Sequence, residues 1–281
     1  MTIREQLKTA RLRLDAAGVS DAAVDAAWLL GAVLHMKALE VRVQGDKILK
    51  AEQETAFEAL LLRRIAREPL QYILGDTDFM GLRFLTRSPV LIPRNDTELL
   101  CQKALERLRP GDRVLDLCTG SGAIAVSLAV LATGISVDAS DISPEALLLA
   151  RENAALHQAN VNFLEGDLFA PWQGQQYDMI CCNPPYIPRG ELAGLQAEVR
   201  REPVLALDGG DDGLDFYRRL IKQAPQHLKG QGHLLLEMGD GQGIRLASML
   251  AFDFNEILIY DDMAGLPRLL AARWKEKNAL T

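Results

Sequence analysis

The chain predicts an α/β fold: a Rossmann-like, seven-stranded mixed sheet, preceded by a small all-helical N-terminal domain and a linking β-hairpin. Three observations carry this expectation. From Arg113 onward, short apolar runs alternate with helical stretches, which demands a largely parallel sheet with helices on both faces. The last two runs are joined by residues 261–267 alone, too few for a helix, so they close a hairpin and supply one antiparallel strand. Residues 1–74, by contrast, carry only helical periodicity.

The elements follow in order. Ile3, Leu7, Ala10 and Leu14 recur at helical spacing, and the pattern stops at Gly18. Ser20 reads as the N-cap of a second helix through Val24, Trp28 and Leu30, and a further helix from about Ala51 is ended by Pro69. Arg63, Arg64 and Arg67 read as a solvated helix face, with an acidic or RNA-bearing partner as the alternative. Gly81 separates Asp78-Phe79-Met80 from Leu82-Arg83-Phe84-Leu85 as a hairpin turn would. A helix then runs from Thr97 to about Leu108. Candidate strands are 113–117, 136–140, 162–165, 177–182, 232–237, 255–260 and 268–274; candidate helices are 124–131, 144–157, a short one after Glu191, and 216–227. The expected division is a helical domain 1–74, a hairpin linker 75–92 and an α/β domain 93–281.

A chain of 281 residues with 48% hydrophobic and 25% charged residues has an ordinary globular composition and room for two domains. The formal net charge of −7 argues against a broad electrostatic grip on nucleic acid, which relies on many Lys and Arg contacts to phosphate. Cys101, Cys118, Cys181 and Cys182 lack metal-ligand spacing and read as reduced thiols of a cytoplasmic protein. The charged N-terminus lacks the apolar core of a signal peptide. The uncharged run 117–137 contains Gly120, Gly122 and Gly134 and divides into strand end, turn, helix and loop, which argues against a membrane span.

Two stretches carry chemistry. The first, from Arg113 to Ala125, is a strand, a Gly-rich turn and a helix start; Gly120 and Gly122 let backbone approach a nucleoside-bearing ligand, and Asp141 at the end of the next strand can accept ribose hydroxyls. Gly120, Gly122 and Ala125 also fit the dinucleotide fingerprint with the same Asp141, so a nicotinamide or flavin dehydrogenase is a rival. Asp116 favours S-adenosylmethionine, because its carboxylate would face the cationic amino-acid end of that cofactor, and Asp167 stands where an adenine amino group needs an acceptor. The plainer reading of both aspartates is a loop or helix cap.

The second stretch is Asn183-Pro184-Pro185-Tyr186, placed at the carboxyl end of the run 177–182. Consecutive prolines make a stiff turn with free carbonyls, so Asn183 Oδ1 and the Pro184 carbonyl can accept the two hydrogens of a planar NH2 group while Tyr186 stacks on its face. A plain Pro-Pro turn is the alternative.

Together, Asp116-x-Cys118-x-Gly120-x-Gly122, Asp141 and Asn183-Pro184-Pro185-Tyr186 resemble the amino-methyltransferases, and seven strands with an antiparallel end is the class I methyltransferase arrangement. Within that group the chain is similar to the HemK/PrmC family, the protein-(glutamine-N5) methyltransferases of peptide chain release factors. The likeness extends to Gln71-Tyr72-Ile73-Leu74-Gly75, Leu91-Ile92-Pro93-Arg94 with Thr97-Glu98, Ile187-Pro188, Glu202-Pro203 and the run from Gly210 to Gly213. Asn95-Asp96, Cys118 and Leu168 depart from the family pattern, and Cys118, replacing a glycine, is expected to require a negative φ.

The resemblance implies methyl transfer from S-adenosyl-L-methionine, leaving S-adenosyl-L-homocysteine, to the glutamine of the Gly-Gly-Gln loop of class 1 release factors. It implies a cofactor set of Asp116, Cys118, Thr119, Gly120, Ser121, Gly122, Asp141, Asp167, Leu168 and Asn183, and a substrate set of Asn183, Pro184, Pro185 and Tyr186, with Asn183 and Pro184 catalytic and no metal. The N-terminal helices and hairpin are expected to help grip the release factor, since one glutamine offers too little surface for specificity. An adenine methyltransferase and a non-catalytic cofactor binder are the remaining alternatives; a flipped base would call for a basic cleft, which the acidic balance disfavours.

Overall fold

The computed structural model describes residues 1–275, which pack as two compact units. One comprises Met1–Asp76 with Gln196–Arg201, the other Thr77–Leu195 and the chain from Glu202 on.

The first unit is built from α1 (Ile3–Ala16), α2 (Ala22–Leu34), α3 (Ala38–Val43), α4 (Ala51–Ile65) and α5 (Leu70–Leu74). A capping box starts α1: the Thr2 hydroxyl accepts the Glu5 N–H while the Glu5 carboxylate accepts the Thr2 N–H. Ile3, Ala10 and Leu14 then enter a core shared with Leu29, Leu30, Phe57 and Leu61. Asp21, and not Ser20, occupies the N-cap of α2; the Ser20 hydroxyl is spent on the Asp21 carboxylate at 3.2 Å. Of the three arginines Arg63 keeps an exposed side chain, as expected, whereas Arg64 and Arg67 are drawn into ion pairs within the unit and do not form a solvated face. Arg64, with its side chain 7% exposed, donates Nε to Asp25 Oδ2 at 2.7 Å and Nη1 to Glu198 Oε1 at 2.7 Å. Arg67 grips Glu198 through two further bonds of 2.7 and 2.6 Å, and Arg63 is paired with Glu68. Burial holds the Asp25 carboxyl above its usual range against the pull of Arg64. Burial also opposes the charge on Glu198, but hydrogen bonds from Arg67 and Arg64 outweigh it and bring that carboxyl down to about 2.

The second unit opens with the hairpin β1 (Asp76–Phe79) and β2 (Leu82–Leu85), whose connecting residues Met80 and Gly81 have φ of 52° and 73°. Two successive left-handed residues give the mirror-image turn that matches strand twist. A 3-10 turn (Asn95–Thr97) leads into α6 (Glu98–Leu105). The sheet strands are β3 (Arg113–Leu117), β4 (Ser136–Asp141), β5 (Val161–Glu165), β6 (Tyr177–Cys182), β7 (Leu228–Glu237), β8 (Phe254–Asp261) and β9 (Pro267–Trp274), in the order β5-β4-β3-β6-β7-β9-β8. Strand β9 runs antiparallel to both neighbours, as expected, and the other pairings are parallel.

Between the strands lie α7 (Ala123–Leu131), α8 (Pro144–Leu156), α9 (Asp215–His227) and α10 (Gly243–Leu250). Successive strand residues feed opposite faces: Val114, Met179, Cys181 and Leu235 pack with α6, α7 and α8, whereas Leu115, Ile180, Cys182 and Leu234 pack with α9 and α10. The short helix expected after Glu191 is a 3-10 turn, Arg189–Gly194. Helix α10 is not among the helices that the sequence predicts. The run 117–137 divides among the end of β3, the turn, α7 and the start of β4, and no helix among the described residues is long and apolar enough to cross a membrane. All four cysteines are free thiols.

Strand order reverses around β3, which lies between β4 and β6. The carboxyl ends of these three strands therefore flank the crevice where an open α/β sheet takes its ligand.

Candidate functional site

The β3–α7 turn holds left-handed residues at Cys118 (φ 57°), Gly120 (φ 56°) and Gly122 (φ 81°). The negative φ expected for Cys118 is therefore wrong: this residue, which carries a Cβ, adopts the left-handed conformation that favours glycine. A left-handed residue with a Cβ carries about 1–2 kcal/mol of strain, and glycine at the same place loses about 0.5–1 kcal/mol to chain entropy. Cys118→Gly is accordingly expected to stabilise the protein by up to about 1 kcal/mol, read as a higher midpoint in denaturant unfolding.

Asp116 does not face the crevice. It is fully buried beneath the turn, where Oδ2 accepts the Thr119 hydroxyl at 2.5 Å and the Ala125 N–H at 3.2 Å, and Oδ1 has no partner among the described residues. Burial pushes this carboxyl up to about 7 against those two hydrogen bonds. Its place is that of a loop and helix brace, and the charge-facing role expected for it has no support in this geometry. Thr119, Ser121 and Gly122 are likewise turned into the packing: Asn153 Nδ2 donates to the Ser121 carbonyl at 2.9 Å, and a Cβ on Gly122 would press on Ala150 of α8 at 3.1 Å.

Above the turn lies a cavity of about 320 Å³, at the small end of the range for ligand pockets. Among its lining residues are Cys118, Gly120, Asp141, Asp167, Leu168 and Asn183 of the expected cofactor set, and Pro185 of the expected substrate set. Pro184 and Tyr186 stand outside this lining. Asp141, ending β4, accepts the Gly120 N–H on Oδ2 at 2.8 Å and the Ser143 N–H on Oδ1 at 2.9 Å. It thereby ties the two βα turns together. Burial raises its carboxyl above the usual range, with the Ser143 and Gly120 amides pulling the other way. Asp167 is paired with Arg219 through Oδ2, and both residues line the cavity. Leu168 is buried with φ 48°, and its carbonyl accepts the Ser140 hydroxyl.

The tetrapeptide leaves the end of β6 under restraint from several sides. Asn183 Nδ2 donates to Thr97 Oγ1 at 3.2 Å, which commits the NH2 end of the amide to the protein and leaves Oδ1 as the acceptor. Gln242 Nε2 donates to the Tyr186 carbonyl at 2.8 Å and the Gly213 carbonyl at 3.3 Å, while its Oε1 accepts the Gly239 N–H. The Tyr186 hydroxyl points to Glu237 Oε1 at 3.5 Å. Burial pushes the Glu237 carboxyl up to about 7, opposed by the Thr97 hydroxyl, Arg268 and the Tyr186 hydroxyl.

Close backbone approach completes the clamp. A Cβ on Gly209 would lie 2.8 Å from Tyr186 Cα, and one on Gly213 would lie 2.4 Å from the Tyr186 carbonyl oxygen. Gly213→Ala, at φ 75°, is expected to displace the tetrapeptide and lower turnover by about 10²-fold, the usual consequence of a misplacement near 1 Å, while leaving cofactor affinity close to wild type. Steady-state kinetics and equilibrium binding check the two halves of that expectation. Glu237, Gln242 and Gly209 were not singled out in the sequence. The one sign available was the carboxylate ending the apolar run Leu234-Leu235-Leu236-Glu237.

Comparison with known proteins agrees with this architecture. The family described as "PrmC N-terminal domain" matches residues 5–75, and the one described as "Methyltransferase small domain" matches residues 95–197. The chain is 43% identical over 274 residues to a protein of Geobacter sulfurreducens named release factor glutamine methyltransferase, covering 97% of this chain and 96% of that one. A protein of the same name from Moorella thermoacetica is 41% identical over 283 residues, covering 99% of this chain and all of that one (100%). Among solved structures, a methyltransferase from Pyrococcus furiosus superposes with a TM-score of 0.54 at 18% identity, covering 78% of this chain and 98% of that one, a likeness of fold alone.

Proposed function

The chain belongs to the release factor glutamine methyltransferase family, and we propose that it transfers a methyl group from S-adenosylmethionine to the side-chain amide nitrogen (N5) of the glutamine in the Gly-Gly-Gln loop of class 1 release factors. The observation that carries this reading is the Asn183 amide. With Nδ2 held by Thr97, Oδ1 is presented as an acceptor at the edge of the cavity that Asp141 and Gly120 line. The cofactor supplies an electrophilic sulfonium methyl group. In this reading Gly120, Asp141, Asp167 and Leu168 line its nucleoside end, and Cys118 and Asn183 lie along the path toward the substrate. Asp116, Thr119, Ser121 and Gly122 act from beneath by fixing the turn.

An amide nitrogen is a poor nucleophile because its lone pair is delocalised into the carbonyl. Asn183 Oδ1 and the Pro184 carbonyl accept its two hydrogens, orient it in line with the methyl group and favour its pyramidal form. These hydrogen bonds strengthen as positive charge grows on nitrogen, so they act more on the transition state than on the bound substrate. The bound cofactor would give up its methyl group and leave as the thioether, and the nitrogen, held by Asn183 Oδ1 and the Pro184 carbonyl, would then release a proton. An alkylated amide nitrogen is acidic enough to lose that proton without a strong base. Tyr186 packs against the amide plane.

Adenine carries the same NH2 geometry, so the clamp alone serves either substrate; the net charge of −7 and family membership favour the amide. The test is to incubate the protein with methyl-labelled S-adenosylmethionine, a release factor, its Gly-Gly-Gln variant with alanine for glutamine, and DNA. Label on the intact release factor alone supports the reading. Label on DNA, or equal label on both release factors, would overturn it.

A further inference from the structure

Two stretches of the sequence, Leu91-Ile92-Pro93-Arg94 and Glu202-Pro203, take no part in the methyl transfer described above. Arg94 and Glu202 stand 108 residues apart in the chain, and the fold joins them through one side chain. The Glu202 carboxylate accepts the Ile92 N–H on Oε2 at 3.0 Å and the Arg94 guanidinium, through Nη2, on Oε1. The side chain of Glu202 is 1% exposed and that of Arg94 36%, so the carboxylate is sealed inside while its counter-charge reaches it from the surface. A carboxylate at that depth is costly unless it is both paired and hydrogen-bonded, and here it is both.

Each stretch continues into a wall of the cavity. Pro89, Val90 and Leu91, just before Ile92, line it, and so do Pro203, Leu205 and Ala206, just after Glu202. Residues 86–94 belong to no helix or strand, and Val204–Ala206 is a single 3-10 turn. These walls therefore lack the ladder of backbone hydrogen bonds that fixes a strand end. Their far ends are fastened separately: Val90 packs with Ala146 and Leu149 of α8, and the Leu207 carbonyl accepts the Ile187 N–H at 3.0 Å. Glu202 fastens their near ends to each other.

From this geometry we infer that Glu202 is a positioning residue for the cofactor, a latch that holds the two irregular walls of the cavity in their binding arrangement before S-adenosylmethionine arrives. The inference rests on the methyl-transfer reading above, which gives this cavity to the cofactor. Glu202, Ile92 and Arg94 are not among the lining residues, so none of them is assigned contact with it. Binding to a wall already in place spends nothing on ordering it, whereas a wall that leaves its binding arrangement weakens the apparent affinity in proportion to the time it is away. Bound cofactor draws the wall back. The Asn183–Thr97 link is a separate hydrogen bond, so the chemical step at saturating cofactor is left in place when the latch is cut.

The experiment compares wild type with Glu202→Ala, Arg94→Ala, Arg94→Lys and the Glu202→Ala/Arg94→Ala double variant. Calorimetry gives the affinity for S-adenosylhomocysteine, with the stoichiometry counting folded protein, and steady-state kinetics on a release factor give kcat and the KM for S-adenosylmethionine. Glu202→Ala is expected to raise Kd about tenfold, the worth of a hydrogen bond to a charged group, with KM following and kcat within about threefold of wild type. A general loss of structure would lower the stoichiometry and kcat instead. Arg94→Ala is expected to weaken binding by about threefold or more, and Arg94→Lys to stay within about twofold of wild type, because the link runs through one nitrogen that an ammonium can replace. The double variant is expected to bind no more weakly than Glu202→Ala, since both changes cut one latch. The Arg94 variants carry the test if Glu202→Ala fails to fold.

Wild-type affinity in folded Glu202→Ala or in Arg94→Ala would overturn the latch, and so would a loss confined to kcat, an Arg94→Lys protein as weak as Arg94→Ala, or losses that multiply in the double variant. A wild-type protein that leaves S-adenosylhomocysteine unbound would instead sink the reading on which the latch rests, so the two failures are distinguishable.

Discussion

Asn183→Ala is expected to lower kcat on a release factor by about 10²–10³-fold, the equivalent of roughly 2.7 to 4 kcal/mol of transition-state stabilisation lost with one preorganised polar contact. The loss falls on kcat because the hydrogen bond to the reacting nitrogen gains strength as charge develops there, whereas a ground-state contact would show mainly in KM. Asn183 also lines the cavity, so a modest weakening of cofactor binding accompanies the effect. Asn183→Asp separates the two contributions. A carboxylate keeps an acceptor but cannot donate to Thr97, so the orientation is lost and turnover is expected to remain well below wild type. Single-turnover kinetics with saturating cofactor measure the chemical step directly, and a near wild-type rate in the alanine variant would remove Asn183 from the mechanism.

The second large effect is on stability. Arg64→Met is expected to destabilise the first unit by about 3 to 5 kcal/mol, the range for removing one partner of a buried ion pair. Met replaces the aliphatic stem of Arg64 but abandons the Asp25 carboxylate, which is 6% exposed and has Arg64 as its ion-pair partner among the described residues. Glu198 keeps Arg67. The sign of the pH dependence follows from Asp25. Burial already holds its folded pKa above the ordinary value, and without Arg64 it rises further. A group with a raised folded pKa binds protons more tightly in the native state, so it adds stability as pH falls. The deficit of the variant is therefore expected to be greatest at neutral pH and to shrink as Asp25 protonates. Urea unfolding at several pH values checks this, and a deficit that grew on acidification would contradict the assignment.

The sheet was legible because its strands announce themselves twice, by apolar runs of strand length and by the helices between them. Period-two alternation is also visible after the fact in Cys181 and Cys182, which share a strand yet enter cores on opposite faces. Helix α10 was not legible because it lies in a stretch holding Gly239, Gly241 and Gly243, where local composition argues for a loop; burial of Leu246 and Leu250 overrides it. The buried role of Arg64 is hidden from the sequence for another reason. Its partners stand 39 and 134 residues away in the chain, and no helical spacing can point to them.

At the site, residue types were readable where backbone demands them. The glycines of the β3–α7 turn and the prolines after Asn183 announce a ligand loop and a stiff turn. The direction a side chain takes from a strand end was not readable. Asp116 and Asp141 both lie at or near the carboxyl end of a strand, yet one is sealed beneath the turn and the other borders the cavity. Cys118 shows the limit from the other side: a residue with a Cβ stands at φ 57°, a left-handed conformation its type alone does not announce. Glu237 and Gln242, which hold the tetrapeptide from behind, belong to other elements, and only tertiary packing brings them to Tyr186.

The central claim is that the Asn183 and Pro184 acceptors direct a methyl group onto an amide nitrogen. The most direct measurement is fragment mass spectrometry of a release factor after incubation with the protein and S-adenosylmethionine. One added methyl group on the side chain of the Gly-Gly-Gln glutamine, absent when the Asn183→Ala protein is used, is the predicted result. A methyl group on any other residue, or an unmodified glutamine beside methylated nucleic acid in the same mixture, would contradict it.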